Sequence, residues 1–209
     1  YGGLLIVSLS VALNDQRMNT AINTYLANIQ IHDVKFSKEY SINHTITDLA
    51  SLEELLSKDI RVKAYSKRVV INGMLSNATG SYGVQVLGID PESEVKVTDV
   101  YSKIIEGDYF KSEKSNTIVV GKKLADKLSL KLRSKLVVTF QDVNGDLSSL
   151  LFRVEGIFRS GNSMFDDSNV FVKNESIFSN LISFDGYHEM PVKSINLEST
   201  DPIKEDLQK

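Results

Sequence analysis

Residues 136–158 read LVVTFQDVNGDLSSLLFRVEGIF. Two apolar-rich runs, 136–140 and 150–158, stand on either side of Asn144-Gly145, the dipeptide favoured in type I′ hairpin turns. The pattern predicts two antiparallel strands and puts the middle of the chain in a β-rich fold. Working outward, 68–71 and 83–89 read as strands flanking a Gly/Ser/Asn connection, 117–120 as another, and 170–172 as a last one. Two short helices are predicted among them. One spans 122–130 with Leu124, Leu128 and Leu130 facing inward, and the other lies near 176–181.

Before Lys67 the pattern differs. Residues 29–32 (IQIH) open a strand that Val34 and Phe36 extend, and 47–56 (TDLASLEELL) carry leucines at helical spacings of three and four. Thr47 is the expected N-cap, or in another register Ser51 with Glu54 as its capping-box partner. Residues 59–65 lead into a second strand, completing a β-α-β unit. The alternating run 192–197 (VKSINL) joins the same sheet to give a small α/β layer. The β-rich middle is therefore expected as a subdomain inserted into the first.

Both ends have a helical character. Residues 2–13 (GGLLIVSLSVAL) are uncharged and mostly apolar, yet as a helix they reach only about 18 Å, short of a bilayer core of about 30 Å. Two readings stay open: a surface or core helix, or the outer end of a membrane helix. The stripe Met18, Ile22, Tyr25, Leu26 and Ile29 continues past the first charges, as in a helix leaving a membrane for a folded domain. At the other end, Ser199-Thr200-Asp201-Pro202 supplies N-cap residues and a proline suited to a first helical turn.

Composition narrows the chemistry. With 209 residues, 42 % hydrophobic and 24 % charged, the chain is globular in type and large enough for one domain or two small ones. A net charge of −3 leaves no nucleic-acid footprint, and the lack of cysteine excludes disulfides, thiolate metal sites and cysteine nucleophiles. Asp142, Asn144 and Asp146 mimic a calcium loop, but Leu147 and Arg153 stand where it needs glycine and glutamate, so a hairpin turn is expected. Gly121-Lys122-Lys123 mimics a phosphate loop but lacks its upstream glycine and following Ser/Thr. His32, His44 and His188 have no metal-ligand spacing and read as surface or capping residues. Sequons at Asn43, Asn77 and Asn174 are weak three-residue patterns. No catalytic residue, metal or cofactor is expected. Residues 161–167 (GNSMFDD) read as a surface loop whose Met164 and Phe165 are candidate partner contacts, alongside Asn144 and Gly145 at the hairpin tip.

Ordered phrases add a resemblance. IQIH (29–32), VKAYSKR (62–68), GIDPE (88–92), IEGDYF (105–110), IVVGKKLA (118–125), FRVEGIF (152–158) and VFV (170–172) resemble, in order and spacing, the extracytoplasmic core domain of ABC-transporter permeases of the MacB/FtsX type, nearest the LolC/LolE lipoprotein-releasing branch. The resemblance implies an α+β fold: a porter-like α/β subdomain (29–66 and 190–209) with an inserted, β-rich, sabre-like one (67–189), following the end of a first membrane helix and its extension (1–28). It implies a non-catalytic domain on the periplasmic or outer face of a bacterial inner membrane. Its ATPase is then cytoplasmic, on another subunit or domain, with a second permease copy or homologue as dimer partner and a periplasmic carrier or lipoprotein as a further partner. ATP-driven motion would reach cargo, whether lipoprotein, lipid or peptide, by mechanical transmission. The alternative is an FtsX-like scaffold that activates a cell-wall hydrolase. LolC-type permeases carry a proline-bearing hook between two sabre strands; here 141–149 contains no proline, so carrier capture by that device is not expected.

Overall fold

The computed structural model describes residues 27, 29–39, 41–180 and 186–207; the helix expected over 1–28 lies outside them. The chain runs as strand β1 (Ile29–His32), helices α1 (Phe36–Glu39) and α2 (Leu49–Lys58), and strands β2 (Val62–Tyr65), β3 (Arg68–Asn77) and β4 (Gly80–Ile89). Helix α3 (Pro91–Val97), strands β5 (Ile104–Gly107) and β6 (Thr117–Gly121), and helix α4 (Lys122–Lys127) come next. The hairpin β7 (Lys135–Gln141) and β8 (Leu147–Phe158) follows, then α5 (Phe165–Ser168), β9 (Asn169–Lys173), α6 (Asn174–Phe178), β10 (Glu189–Ser194) and α7 (Thr200–Leu207).

The β-rich middle closes on itself. Strand β3 pairs with β4, β4 with β9, β9 with β6, β6 with β8, β8 with β7, and β7 again with β3. The resulting barrel removes the sheet edges that β3 and β8 would otherwise expose. Its interior is filled by alternate residues of each strand, including Val69, Ile71 and Leu75 of β3, Leu136, Val138 and Phe140 of β7, and Phe152 and Val154 of β8. Leu124 and Ala125 of α4, with Leu128 and Leu130 beyond it, belong to the same core. The helix ends at Lys127, earlier than expected, but all three predicted leucines are buried. The Leu128 carbonyl accepts from the Asn77 amide (2.8 Å) and the Thr79 hydroxyl (2.8 Å), which ties this end to the β3–β4 turn.

Strands β4, β6 and β9 are covered on their outer face too, where Leu87, Ile89, Val119 and Phe171 pack with Phe36, Val100, Phe110, Phe158 and Phe165. Two-sided burial explains why TIVV and VFV are unbroken apolar runs. The outer face of β3, β7 and β8 instead leaves Met74, Leu147 and Leu151 exposed.

A smaller layer stands beside the barrel. Strand β10 lies between β1 and β2, antiparallel to both, so the expected β-α-β unit is a split one, with β1 and β2 parallel but separated by β10. Leu49, Leu52 and Leu56 of α2 and Ile203 of α7 pack with Met190 and Val192 of β10. Its N-cap is Asp48, in the left-handed region (φ 54°), and not Thr47 or Ser51; the Asp48 carboxylate accepts from the Ser51 N–H.

Local expectations are corrected elsewhere. The Asp33 carboxylate turns the chain by accepting from Lys35 N–H (2.7 Å), so Val34 and Phe36 leave the strand, and Phe36 begins α1. The strands β3 and β4 run on to a tight turn where a longer connection was expected. The β7–β8 turn is not type I′. Gly145 alone takes a positive φ (85°), Gly145 N–H donates to Asp142 O and Asp142 N–H to Asp146 O, the pattern of a three-residue loop with a left-handed glycine.

Gly121, where β6 passes into α4, lies against the 160s loop: a Cβ there would sit 2.1 Å from the Asp166 carbonyl oxygen. Gly121→Ala is expected to lower stability by about 1–3 kcal/mol in urea unfolding. Gly83→Ala, with nothing within 4 Å, is the control and should stay within about 0.5 kcal/mol. Equal behaviour of the two would refute this close-packing account.

Candidate functional site

The barrel and the smaller layer meet at Arg68. It opens β3 and pairs across the ladder with Ile89 of β4 on one side and Glu189 of β10 on the other, the latter being the sole register pair between β10 and β3 among the described residues. Its side chain is 3 % exposed and Glu94, on α3, is 0 % exposed. The guanidinium binds Glu94 in a fork, Nη2 to Oε1 at 2.5 Å and Nε to Oε2 at 3.2 Å, with the Glu189 carboxylate 3.7 Å from Nη1. The Thr98 hydroxyl donates to Glu94 Oε1 (3.0 Å). Burial works against the charge on Arg68, but Glu94 and then Glu189 outweigh it and hold the guanidinium protonated. Burial beside Glu94 pushes the Tyr109 hydroxyl well up, keeping it neutral.

Glu94 is placed by local sequence. Asp90 caps α3 by accepting from Glu92 and Ser93 N–H, and Pro91 starts the helix with a preset φ. Two of the phrases that carry the family resemblance, 62–68 and 88–92, thus converge on this joint.

His188 forms the second fastening. It is fully buried, against the expectation of a surface or capping residue. Its Nδ1 accepts from Val70 N–H (2.9 Å) and its Nε2 lies 3.0 Å from Ile42 O, so the ring is the neutral tautomer with Nε2 donating. Phe36 stacks on it at 4.8 Å. Desolvation lowers its pKa from the ordinary 6.5, partly opposed by the bond to Ile42. Sequence reasoning missed Arg68, Glu94 and His188 because the partners lie 26 and 118 residues apart in the chain. The one available signal was a charge heading an apolar strand, in RVVI.

The predicted contact residues separate into three places. Asn144 and Gly145 are exposed at the hairpin tip, where Asp142 Oδ1 accepts from Asn144 N–H (2.9 Å) and Asp146 N–H (3.0 Å). A cleft of about 350 Å³ lies beneath, lined by Gln141, Asp142 and Gly145 with Ser41, Asn43 and Asn72 among others. Met164 is 79 % exposed on the 160s loop. Phe165 is not exposed: at 8 % it packs with Phe158 and Phe171, because α5 turns the side chain after Met164 into the outer core.

The sequence matches the family model described as MacB-like periplasmic core domain over residues 3–209. The chain belongs to that family. The MacB-like fold is also seen in two solved structures that it resembles. The extracellular domain of the noncanonical ABC-type transporter YknZ from Gram-positive bacteria has a TM-score of 0.55 at 14 % identity, with 82 % of this chain and 86 % of that one covered. The periplasmic region of MacB from Actinobacillus actinomycetemcomitans has a TM-score of 0.54 at 13 % identity, covering 85 % and 82 %. In sequence the chain is similar to the lipoprotein-releasing system transmembrane protein LolE of Haemophilus influenzae, 27 % identical over 145 residues, which is 68 % of this chain and 34 % of that protein. The MacB-like chain thus spans about a third of that relative. Membership makes it the periplasmic domain type of an ABC-transporter permease. Among the described residues no helix is long and apolar enough to cross a membrane.

Two consequences of the joint are measurable. Glu94→Ala leaves Arg68 buried with its main partner gone and is expected to cost about 3–5 kcal/mol in urea unfolding. A loss under about 1 kcal/mol would mean that the pair does not hold the joint. His188 gives a pH dependence with a definite sign. Its folded pKa lies below the unfolded one, so the unfolded chain takes up a proton first as pH falls. The contribution of His188 is therefore full above about pH 6.5 and erodes below it. Melting temperature should drop between about pH 7.5 and about pH 5.5, and His188→Gln should flatten that drop; an unchanged slope in the variant would exclude His188 as its source.

Proposed function

We propose that this chain is the extracytoplasmic domain of an ABC-transporter permease that couples cytoplasmic ATP hydrolysis to release or export of a lipoprotein, lipid or peptide cargo by mechanical transmission. The observation that carries it is the joint: one strand, β3, begins at the buried Arg68–Glu94 pair and runs on as a wall of the closed barrel. A displacement of β10 or α3 would reach the barrel through a charged contact that does not slide, since parting the ions in an apolar setting costs several kcal/mol.

Family membership and the lipoprotein-releasing relative support the choice of cargo class. In this reading residues 1–28 are the end of the first membrane helix and its extension, 29–66 with 190–209 form the porter-like body, and 67–189 the sabre-like one. The separate apolar cluster of the smaller layer supports the division. The ATPase is cytoplasmic, on another subunit or domain. A second permease copy or homologue completes the dimer. A carrier or lipoprotein would meet the hairpin tip at Asn144 and Gly145 or the loop at Met164. The three-residue β7–β8 loop is too short for a hook, so capture there would rest on surface contact.

The test is reconstitution of the full-length permease with its ATPase in proteoliposomes loaded with a lipoprotein. ATP-dependent release is expected, kept within about twofold by a disulfide introduced across β3 and β10, since that joint already moves as one, and slowed at least about tenfold where Glu94→Gln loosens it. Release that proceeds without ATP, or at full rate in Glu94→Gln, would overturn the mechanical reading.

A further inference from the structure

A second cleft, of about 270 Å³, opens between α4 and the 160s loop. It is lined by Lys122, Lys123 and Asp126 of α4 and by Arg159, Gly161, Ser163 and Asp166. The acidic residues facing it are already engaged: Asp126 pairs with Lys122, and Asp166 is buried, accepting from Ser160 N–H (3.0 Å) and the Ser160 hydroxyl (2.5 Å). Two cations are not neutralised. Lys123 Nζ donates to the Ser163 hydroxyl (2.8 Å), and neither Lys123 nor Arg159 has a carboxylate within 4 Å among the described residues. This occurs in a chain whose net charge is −3.

The rim is built and not loose. The Asn162 side-chain oxygen accepts from Met164 N–H (3.0 Å) and Phe165 N–H (3.2 Å), Phe165 is anchored in the core, and the Asp166 backbone lies against Gly121. That scaffold holds Met164 out in solvent, 79 % exposed, one residue along the chain from Ser163, the partner of Lys123. A guanidinium and an ammonium select carboxylates, and a polarizable, unbranched thioether beside them adapts to apolar side chains of varied shape.

We infer that this cleft is a docking site for an acidic segment of a protein partner, one in which aspartate or glutamate alternates with aliphatic residues. Arg159 takes a carboxylate in a fork, Lys123 takes a second in exchange for Ser163, and Met164 covers the aliphatic residue between them. The inference rests on the proposal that the Met164 loop is a partner contact and names the chemistry that the partner must bring.

The test uses the 209-residue chain, isotope-labelled, titrated with a short peptide alternating glutamate and leucine, with its lysine-for-glutamate counterpart, and with inorganic phosphate. Amide shifts confined to 121–126 and 159–164 are expected with the acidic peptide alone. Affinity should fall roughly tenfold or more in K123A/R159A and roughly threefold in Met164→Ser; both replace exposed side chains, so unchanged melting temperatures confirm folding. Three results would overturn the inference: no shifts in these segments, equal binding of the lysine peptide, or undiminished binding in K123A/R159A. Phosphate binding as tightly as the peptide, with Met164→Ser inert, would make the cleft a simple anion site and overturn it too. Release by the reconstituted transporter separates this from the transport reading: ATP-independent release with the peptide site intact sinks that reading alone.

Discussion

A guanidinium buried between two carboxylates fixes where the two parts of this molecule meet. Arg68 is the residue at which β3 exchanges one partner strand for another: β10 reaches only its first residue, while β4 continues along the full length and β7 takes over from Gly73. Main-chain pairing at a single residue gives little hold on an angle. The Arg68–Glu94 fork supplies it, since both charges are out of water and two bonds fix their relative orientation. A purely apolar joint could be as stable, but apolar faces slide at small cost, whereas a forked ion pair has one geometry.

From that point the barrel follows. Once β3 is placed, its pairing with β4 and β7 commits alternate residues to the interior, and a one-residue slip would turn Val69, Ile71 and Leu75 outward together. Closure makes the barrel a stiff body, because no strand of the ring can shift register without its two neighbours. The smaller layer has no such closure. Strand β10 holds β1 and β2 on its two sides, and its pairing with β2 is already irregular at Lys193/Ser194. The smaller layer therefore lacks the closure that stiffens the barrel and is tied to it at the Arg68 joint.

Much of this was legible in the sequence where a local rule and a tertiary demand agree. The runs TIVV and VFV announced strands, and Leu124, Leu128 and Leu130 announced the core side of α4. Legibility stopped where a local pattern admits two geometries. Asn144-Gly145 marks a hairpin, but Asp142 captures the loop amides and converts the expected two-residue turn into a three-residue one. Met164-Phe165 looks like one exposed pair, yet a single turn of helix sends the two side chains in opposite directions. The β7–β3 closure and the His188–Ile42 contact have no sequence signature, and the Arg68–Glu94 pair has only the charge that heads RVVI. Each depends on strands far apart in the chain arriving at one place.

The proposed reading places function in the joint and the rims of the clefts. Among the described residues no group of three or more histidine, aspartate or glutamate side chains is placed to hold a metal. Among the buried polar side chains, Arg68 with Glu94 and His188 with Val70 and Ile42 hold elements together. The surface offers an exposed hairpin tip at one cleft and, at the other, Lys123 and Arg159, with Met164 on the loop that supplies Ser163. These stand on the barrel's connections, whose ends are fixed by Gly121 and Phe165. In the proposed reading, a closed barrel that carries these loops and is tied to the smaller layer at Arg68 moves a partner without covalent chemistry.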